Sequence, residues 1–304
     1  MKKLLNTLVE TCRPYAEQGE VANYIPELAK RNPNHLSVCV VTGEDEVFYA
    51  GDYQNLYTMQ SVIKPMLLLV ALMDSGMERV RGLVGVEATG KPFDAFNYSD
   101  QALTVANINP MINAGAIALS TLIKGKTSEE KFQRLLEMTR KVAGNPNMEM
   151  DEMVYLSEKA TGNKNRALAY MLKAYRMVDG DVEDMVDCYF RACSVKANCI
   201  DLAQIAYVFA NHGANSKGEQ LFPAEYARYV NATLITCGMY DGSGEFALNV
   251  GFPAKSGVGG GIMGVIPKKM GIGVFAPALD KKGNSLAGIK VLEALSQELE
   301  LSIF

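Results

Sequence analysis

Apolar and polar positions along the chain fall into three stretches of different period. Residues 1 to 30 read as helical, with Leu4, Leu5, Leu8 and Val9 on one face, Pro14 near the helix end, and Pro26 and Pro33 as punctuation. His35 to Val41 is a β-rich run, Gly43-Glu44-Asp45 supply turn residues, and Val47 to Ala50 is a second run, which together predict a hairpin. Tyr57 to Met59 predicts a brief extended segment leading into a long apolar helix. From about Ser61 to Gly238 the period is helical, most clearly over Ala114–Ile123, Glu129–Ala143, Glu152–Thr161, Arg166–Val178 and Cys199–His212. Gly125, Gly144, Gly162, Gly180 and Gly213 stand where helix stops belong. After Tyr240 the pattern returns to strands, over Phe246–Val250, Ala254–Val258, Gly260–Ile266 and Met270–Phe275, and a final helix spans roughly Ser285–Leu301.

Strands at both ends and helices between them predict an α+β fold. The two chain ends build one antiparallel sheet with flanking helices, a sheet lobe of about residues 1–60 and 240–304. Residues of about 61–239 form a mostly helical middle lobe. With no internal repeat or low-complexity linker, the 304 residues are expected to fold as a single domain.

Composition narrows the chemistry. Thirty Lys and Arg against 34 Asp and Glu give a net charge of −4 with no basic block, which argues against nucleic acid as a partner. The opening lysines superficially resemble a signal peptide, but Asn6, Thr7 and Glu10 break the apolar run. The richest apolar run, Pro65–Met73, is shorter than the ~18 residues a membrane span needs. Six cysteines without a C-x-x-C pair read as reduced, buried thiols, and a cytoplasmic protein follows. Two histidines exclude most metal sites and most Ser–His or Cys–His catalysts; His35 at a strand start and His212 at a helix end suit structural roles.

Several motifs fail on context. Gly259-Gly260-Gly261-Ile262-Met263-Gly264 satisfies G-x-G-x-x-G but runs into a strand instead of opening a helix, so it reads as hairpin chemistry. Gly125-Lys126-Thr127 ends like a phosphate-binding loop, yet Ser120 stands where the leading glycine belongs. No H-E-x-x-H or G-x-S-x-G occurs. No cofactor or metal is expected.

Two motifs survive together. In Gln60-Ser61-Val62-Ile63-Lys64-Pro65, Ser61 and Lys64 lie one helical turn apart, and Pro65 confines the helix start to this turn. Ser61 therefore sits at a helix N-terminus, where developing negative charge is favoured. The apolar run that follows buries Lys64, which favours the neutral amine a general base requires. In Lys255-Ser256-Gly257, a strand edge of the kind that lines serine acyl-transfer sites, Gly257 permits close approach. The N–H of Val258 can pair with that of Ser61 as an oxyanion hole. Asn109–Ala116, Ser157–Asn165 and Gly238–Gly244 carry further polar groups at turns and helix ends.

These segments resemble the serine-dependent glutaminase family, similar in fold to serine β-lactamases and D-Ala-D-Ala peptidases. The resemblance runs from Asn23-Tyr24-Ile25-Pro26 through QSVIKP, NPMINAGAI, SEKATGNKN, Asp187-Cys188-Tyr189-Phe190 and GMYDGSGEFA to PAKSGVGGGI. It implies hydrolysis of L-glutamine to L-glutamate and ammonia through a serine acyl-enzyme. It further implies Ser61 as nucleophile, Lys64 as its activating partner, Tyr240 as a sharer in proton transfer and Tyr24 as a further pocket hydroxyl. Substrate contacts are implied for Gln60, Ser61, Asn113, Glu158, Asn165, Tyr189, Tyr240 and the backbone of Val258, and a homodimer or homotetramer for the assembly.

The implied contacts suit a zwitterion with an amide tail, Glu158 accepting the ammonium and Asn113, Asn165 and Tyr189 donating to the carboxylate. Which of Lys64 and Tyr240 takes the first proton stays open. The S-D-N element of β-lactamases has at best Ser99-Asp100-Gln101 as counterpart, and a deacylating Glu has none. Compared with animal glutaminases, only the catalytic domain is represented. Two other readings share the fold: a penicillin-recognising serine acyltransferase or hydrolase, and a non-catalytic amino-acid-binding protein.

Overall fold

The computed structural model describes residues 1–43, 46–88 and 104–304. Helix α1 (Lys2–Cys12) presents Leu5, Leu8, Val9 and Cys12 inward. Pro14 ends it, and a 3-10 turn, Arg13–Gln18, leads into the short strand β1 (Glu20–Val21). The helical reading of the first thirty residues therefore holds to Cys12 and breaks up beyond it, because proline removes the N–H that would continue the ladder.

Strands β2 (Ser37–Thr42) and β3 (Val47–Gly51) form the expected hairpin, whose turn residues Glu44 and Asp45 lie outside the described residues. The short β4 (Tyr57–Thr58) precedes a 3-10 turn, Gln60–Ile63, and the helix α2 (Lys64–Leu83), interrupted at Gly76. Next come α3 (Asn113–Ser120), α4 (Ser128–Ala143), α5 (Glu152–Thr161), α6 (Asn163–Ala174) and α7 (Val182–Cys193). Strand β5 (Lys196–Ala197), which pairs with β4, and helices α8 (Cys199–Ala210) and α9 (Ala224–Cys237) complete the middle of the chain. Capping follows the sequence signals. Thr127 accepts from the Glu130 N–H, Asp181 from that of Asp184, and Asn198 and Asp201 form a reciprocal capping box.

Past Tyr240 one expectation fails. Phe246–Val250 lies mostly in helix α10 (Ser243–Asn249), with Val250 as its C-cap. Phe246 and Val250 are buried four residues apart while Leu248 between them is 85% exposed, so the run has helical period and was too short to distinguish from a strand. Strands β6 (Ala254–Ser256), β7 (Gly261–Ile266), β8 (Met270–Phe275) and β9 (Ala278–Leu279) and helix α11 (Leu286–Leu299) then follow closely the predicted order. The glycine run Gly259–Gly261 connects β6 to β7, in line with the hairpin reading.

The main sheet has the order β3-β2-β8-β7-β6 with antiparallel pairing throughout. Alternation along β2 divides the core. Val38 and Val40 join Leu5, Val291 and Leu295 beneath α1 and α11, whereas Cys39 and Val41 face the helical cluster on the other side. Helix α8, apolar almost all round, packs against that second face of the sheet. All six cysteines are free and buried. No helix among the described residues is long and apolar enough to cross a membrane.

Candidate active site

Ser61 lies in the 3-10 turn that leads into α2, with Pro65 in the first turn of that helix. The turn is buried, and Ser61 opens on a cavity of about 670 Å³. Tyr24, Gln60, Asn113, Glu158, Asn165, Tyr189, Tyr240 and Val258 line the same cavity. Lys64, wholly buried, sits one turn along α2 behind Ser61. Residues scattered over more than two hundred positions are thus gathered around one hydroxyl.

The edge of β6 closes against this turn. A Cβ on Gly257 would lie 2.7 Å from the Met59 carbonyl oxygen and 3.1 Å from the Val62 nitrogen, so only glycine lets the strand approach. We expect Gly257→Ala to push the Val258 N–H away from Ser61 and lower kcat about 10²-fold. Steady-state kinetics beside a thermal melt checks this, and an unchanged kcat would mean the gap is absorbed elsewhere.

The hydroxyl of Tyr240 has the Ser61 hydroxyl and the Val258 N–H nearby, and both favour its ionised form. Burial pushes this phenol well above its ordinary range. Lys64 donates from Nζ to Asn113 Oδ1 at 2.7 Å and to the Met111 carbonyl at 3.1 Å. Burial lowers its amine to about 8, with Cys193 and Glu158 pulling weakly the other way. Asn113 also accepts from the Tyr189 hydroxyl at 3.1 Å and donates to Asn165 Oδ1 at 2.9 Å. Its amide is therefore engaged at both ends, linking α3, α6 and α7. Glu158 is buried with Oε2 unpaired; burial raises its carboxyl to about 8, opposed by the neighbouring Gln60 and Cys193 side chains and by the Lys64 charge.

Three features were not read as site features from the sequence. Gln60 and Tyr240 both have left-handed backbones, with φ of 49° and 52°. That conformation costs a non-glycine residue about 1–2 kcal/mol, and both residues line the cavity on which Ser61 opens. Lys255 places Nζ 4.5 Å from the centroid of the Tyr240 ring and donates to the carbonyls of Gly238 (3.1 Å) and Ser256 (2.6 Å). Burial, reinforced by the Lys64 charge, depresses its amine strongly. The K-S-G motif marked the strand edge but not this contact. Ser99-Asp100-Gln101 lies outside the described residues. Among the described residues no group of three or more His, Cys, Asp or Glu is placed to hold a metal ion.

A buried serine-bearing turn, a lysine one helical turn on and a K-S-G strand edge against it form the arrangement, and comparison with known proteins places the chain in a family. Residues 19–304 match the family model described as Glutaminase.

The chain belongs to the glutaminase family.

Among the relatives of this glutaminase-family chain, the glutaminase of Clostridium tetani is 50% identical over 305 residues, covering 100% of both chains. Glutaminase 2 of Clostridium perfringens is 47% identical over 305 residues, again covering 100% of both. A solved neighbour is the Bacillus subtilis glutaminase YbgJ in covalent complex with 5-oxo-L-norleucine, formed by reaction with 6-diazo-5-oxo-L-norleucine. It superposes with a TM-score of 0.92 at 36% identity, covering 100% of this chain and 99% of that one. The glutaminase fold is the α+β, serine β-lactamase-like one expected from the resemblance.

Proposed function

We propose that this chain hydrolyses L-glutamine to L-glutamate and ammonia through an acyl-enzyme on Ser61. The observation that carries the reading is Ser61 and Tyr240 lining one cavity, the serine hydroxyl close enough to favour ionisation of the phenol, with Lys64 wholly buried one turn along the helix. Ser61 Oγ attacks the γ-carboxamide carbon while Tyr240 and Lys64 together receive its proton. The N–H groups of Ser61 and Val258 hold the oxyanion. The proton then passes to the departing nitrogen, the C–N bond breaks and ammonia leaves. Water attacks the resulting ester, and glutamate is released with Ser61 restored. The covalent 5-oxo-L-norleucine complex of the Bacillus subtilis glutaminase supports this reading.

Recognition follows from charge. Glu158, at the cavity wall with an unpaired oxygen, receives the α-ammonium group; Tyr189, Asn165 and Asn113 stand on the side proposed for the α-carboxylate. Tyr24, at the cavity mouth, supplies a further hydroxyl. Assayed above about pH 8, where Glu158 is ionised, we expect Glu158→Gln to raise KM for glutamine about 10²-fold with a much smaller change in kcat, because an ion pair out of water is lost. An unchanged KM would remove Glu158 from this role.

The test of the whole reading is ammonia release from L-glutamine, L-asparagine and a β-lactam by the purified protein. Turnover of glutamine in preference to the other two supports the proposal. Stoichiometric labelling by the β-lactam without glutamine turnover would favour the penicillin-recognising alternative. Glutamine binding without ammonia release would favour a non-catalytic binder. We further propose a cytoplasmic enzyme, in keeping with its free, buried thiols, that assembles as a homodimer or homotetramer.

A further inference from the structure

Asp187 lies two residues before Tyr189 on α7, about 200° round the helix and so directed away from the substrate cavity. Its side chain is nearly buried and holds together three helices. Oδ1 accepts from the Tyr155 hydroxyl at 2.6 Å and from Lys159 Nζ at 2.5 Å, both on α5. Oδ2 accepts from the Ser128 hydroxyl at 2.8 Å, at the start of α4, and from Arg191 Nε at 2.7 Å on its own helix. Arg191 in turn pairs with Glu129 of α4. Burial alone would raise the Asp187 carboxyl, but the hydrogen bonds from Lys159, Tyr155, Arg191 and Ser128 outweigh it and hold the group ionised.

The helix that receives two of these bonds also carries Glu158. Tyr155 and Lys159, four apart on α5, point to Asp187; Glu158, between them in sequence, faces the cavity with Oε2 unpaired. Where that carboxylate sits depends on how α5 is seated against α7. The far end of α5 is set by shape, since a Cβ on Gly162 would come within 2.3 Å of the Phe190 ring of α7. The middle of α5 is set by Asp187. Glu158 on one helix and Tyr189 on the other are therefore spaced by a single carboxylate on the back of the site.

We propose that Asp187 is a positioning residue for substrate recognition, fixing Glu158 relative to Tyr189 and Asn113 so that the site selects an amide bearing an α-ammonium group. This rests on the glutaminase reading and on Glu158 as the ammonium acceptor. The experiment compares L-glutamine with its deamino analogue, glutaramate, which lacks the ammonium but keeps the carboxamide and the carboxylate. Glutaramate is followed as a substrate, or as a competing ligand where turnover is slow.

In Asp187→Asn, kcat/KM for glutamine is expected to fall about thirtyfold, mainly through KM, and that for glutaramate less than about threefold. The preference for glutamine then drops about tenfold, which a merely destabilised protein would not show. Lys159→Met, which removes only the α5 side of the cluster, is expected to shift the preference the same way by a smaller factor. It decides the matter if the Asp187 variant does not fold. An equal loss for both ligands, or an unchanged preference, overturns the role of Asp187 while leaving an active wild type a glutaminase. A wild type that releases no ammonia from glutamine overturns the glutaminase reading and this inference with it.

Discussion

Ser61→Ala is expected to lower kcat for glutamine by about 10⁴-fold or more, with the folded structure retained. The variant keeps the oxyanion N–H groups, Lys64, Tyr240 and the recognition residues, so any remaining turnover measures what binding and polarisation do without a nucleophile. The thermal midpoint should scarcely move. Alanine fits the buried turn, and removing one hydroxyl leaves no buried charge behind. Steady-state ammonia release beside a melting curve reads both quantities. Wild-type activity in a folded Ser61→Ala protein would remove the acyl-enzyme mechanism altogether.

Lys64→Met is expected to lower kcat about 10³-fold, within the range that a positioned general base contributes. Methionine fills the space of the lysine stem and introduces no buried charge. The Met111 carbonyl loses its donor, while Asn113 Oδ1 keeps the Tyr189 hydroxyl. The wild-type pH profile should show the same group. Below about 8 the Lys64 amine is protonated and cannot accept from Ser61, so kcat/KM should climb as pH rises through that value. Glu158 works in the same direction, since it is a neutral acid below about 8 and pairs with the substrate ammonium only when ionised. The acidic limb of the wild type should therefore be steeper than one ionisation allows, and Lys64→Met should reduce it to the Glu158 step. A flat profile between pH 6 and about 9 would contradict both assignments.

The parts of the site that follow from local rules were readable in advance. The Ser61–Lys64 turn with Pro65, the K-S-G edge and the alternation of β2 depend on neighbours one to five residues away, and each appears where its pattern places it. The α10 error has the opposite cause, because Phe246 and Val250 are apolar in either period and only their common packing partners decide between helix and strand. Glu158 was assigned by resemblance, but its unpaired oxygen follows from what surrounds it in space. The Asp187 cluster was beyond reach for the same reason. Its four donors come from three helices, and no spacing in the sequence joins Ser128 to Tyr155 and Arg191. The left-handed backbones of Gln60 and Tyr240 carry no local signal either, since neither residue is a glycine.

The pairing of β2 with β8 has a consequence for how the protein is made. Ser37 lies opposite Phe275 in the register, and Thr42 opposite Met270. On the ribosome the N-terminal hairpin must therefore wait for more than two hundred further residues, on the order of ten to fifty seconds of synthesis. Throughout that interval its inner strand is an unsatisfied edge, with Val38 and Val40 uncovered on one side and Cys39 and Val41 on the other. That edge stays open in newly made chains until the last strands emerge. Truncation before Met270 should leave an insoluble product lacking the sheet that holds Val258 against Ser61.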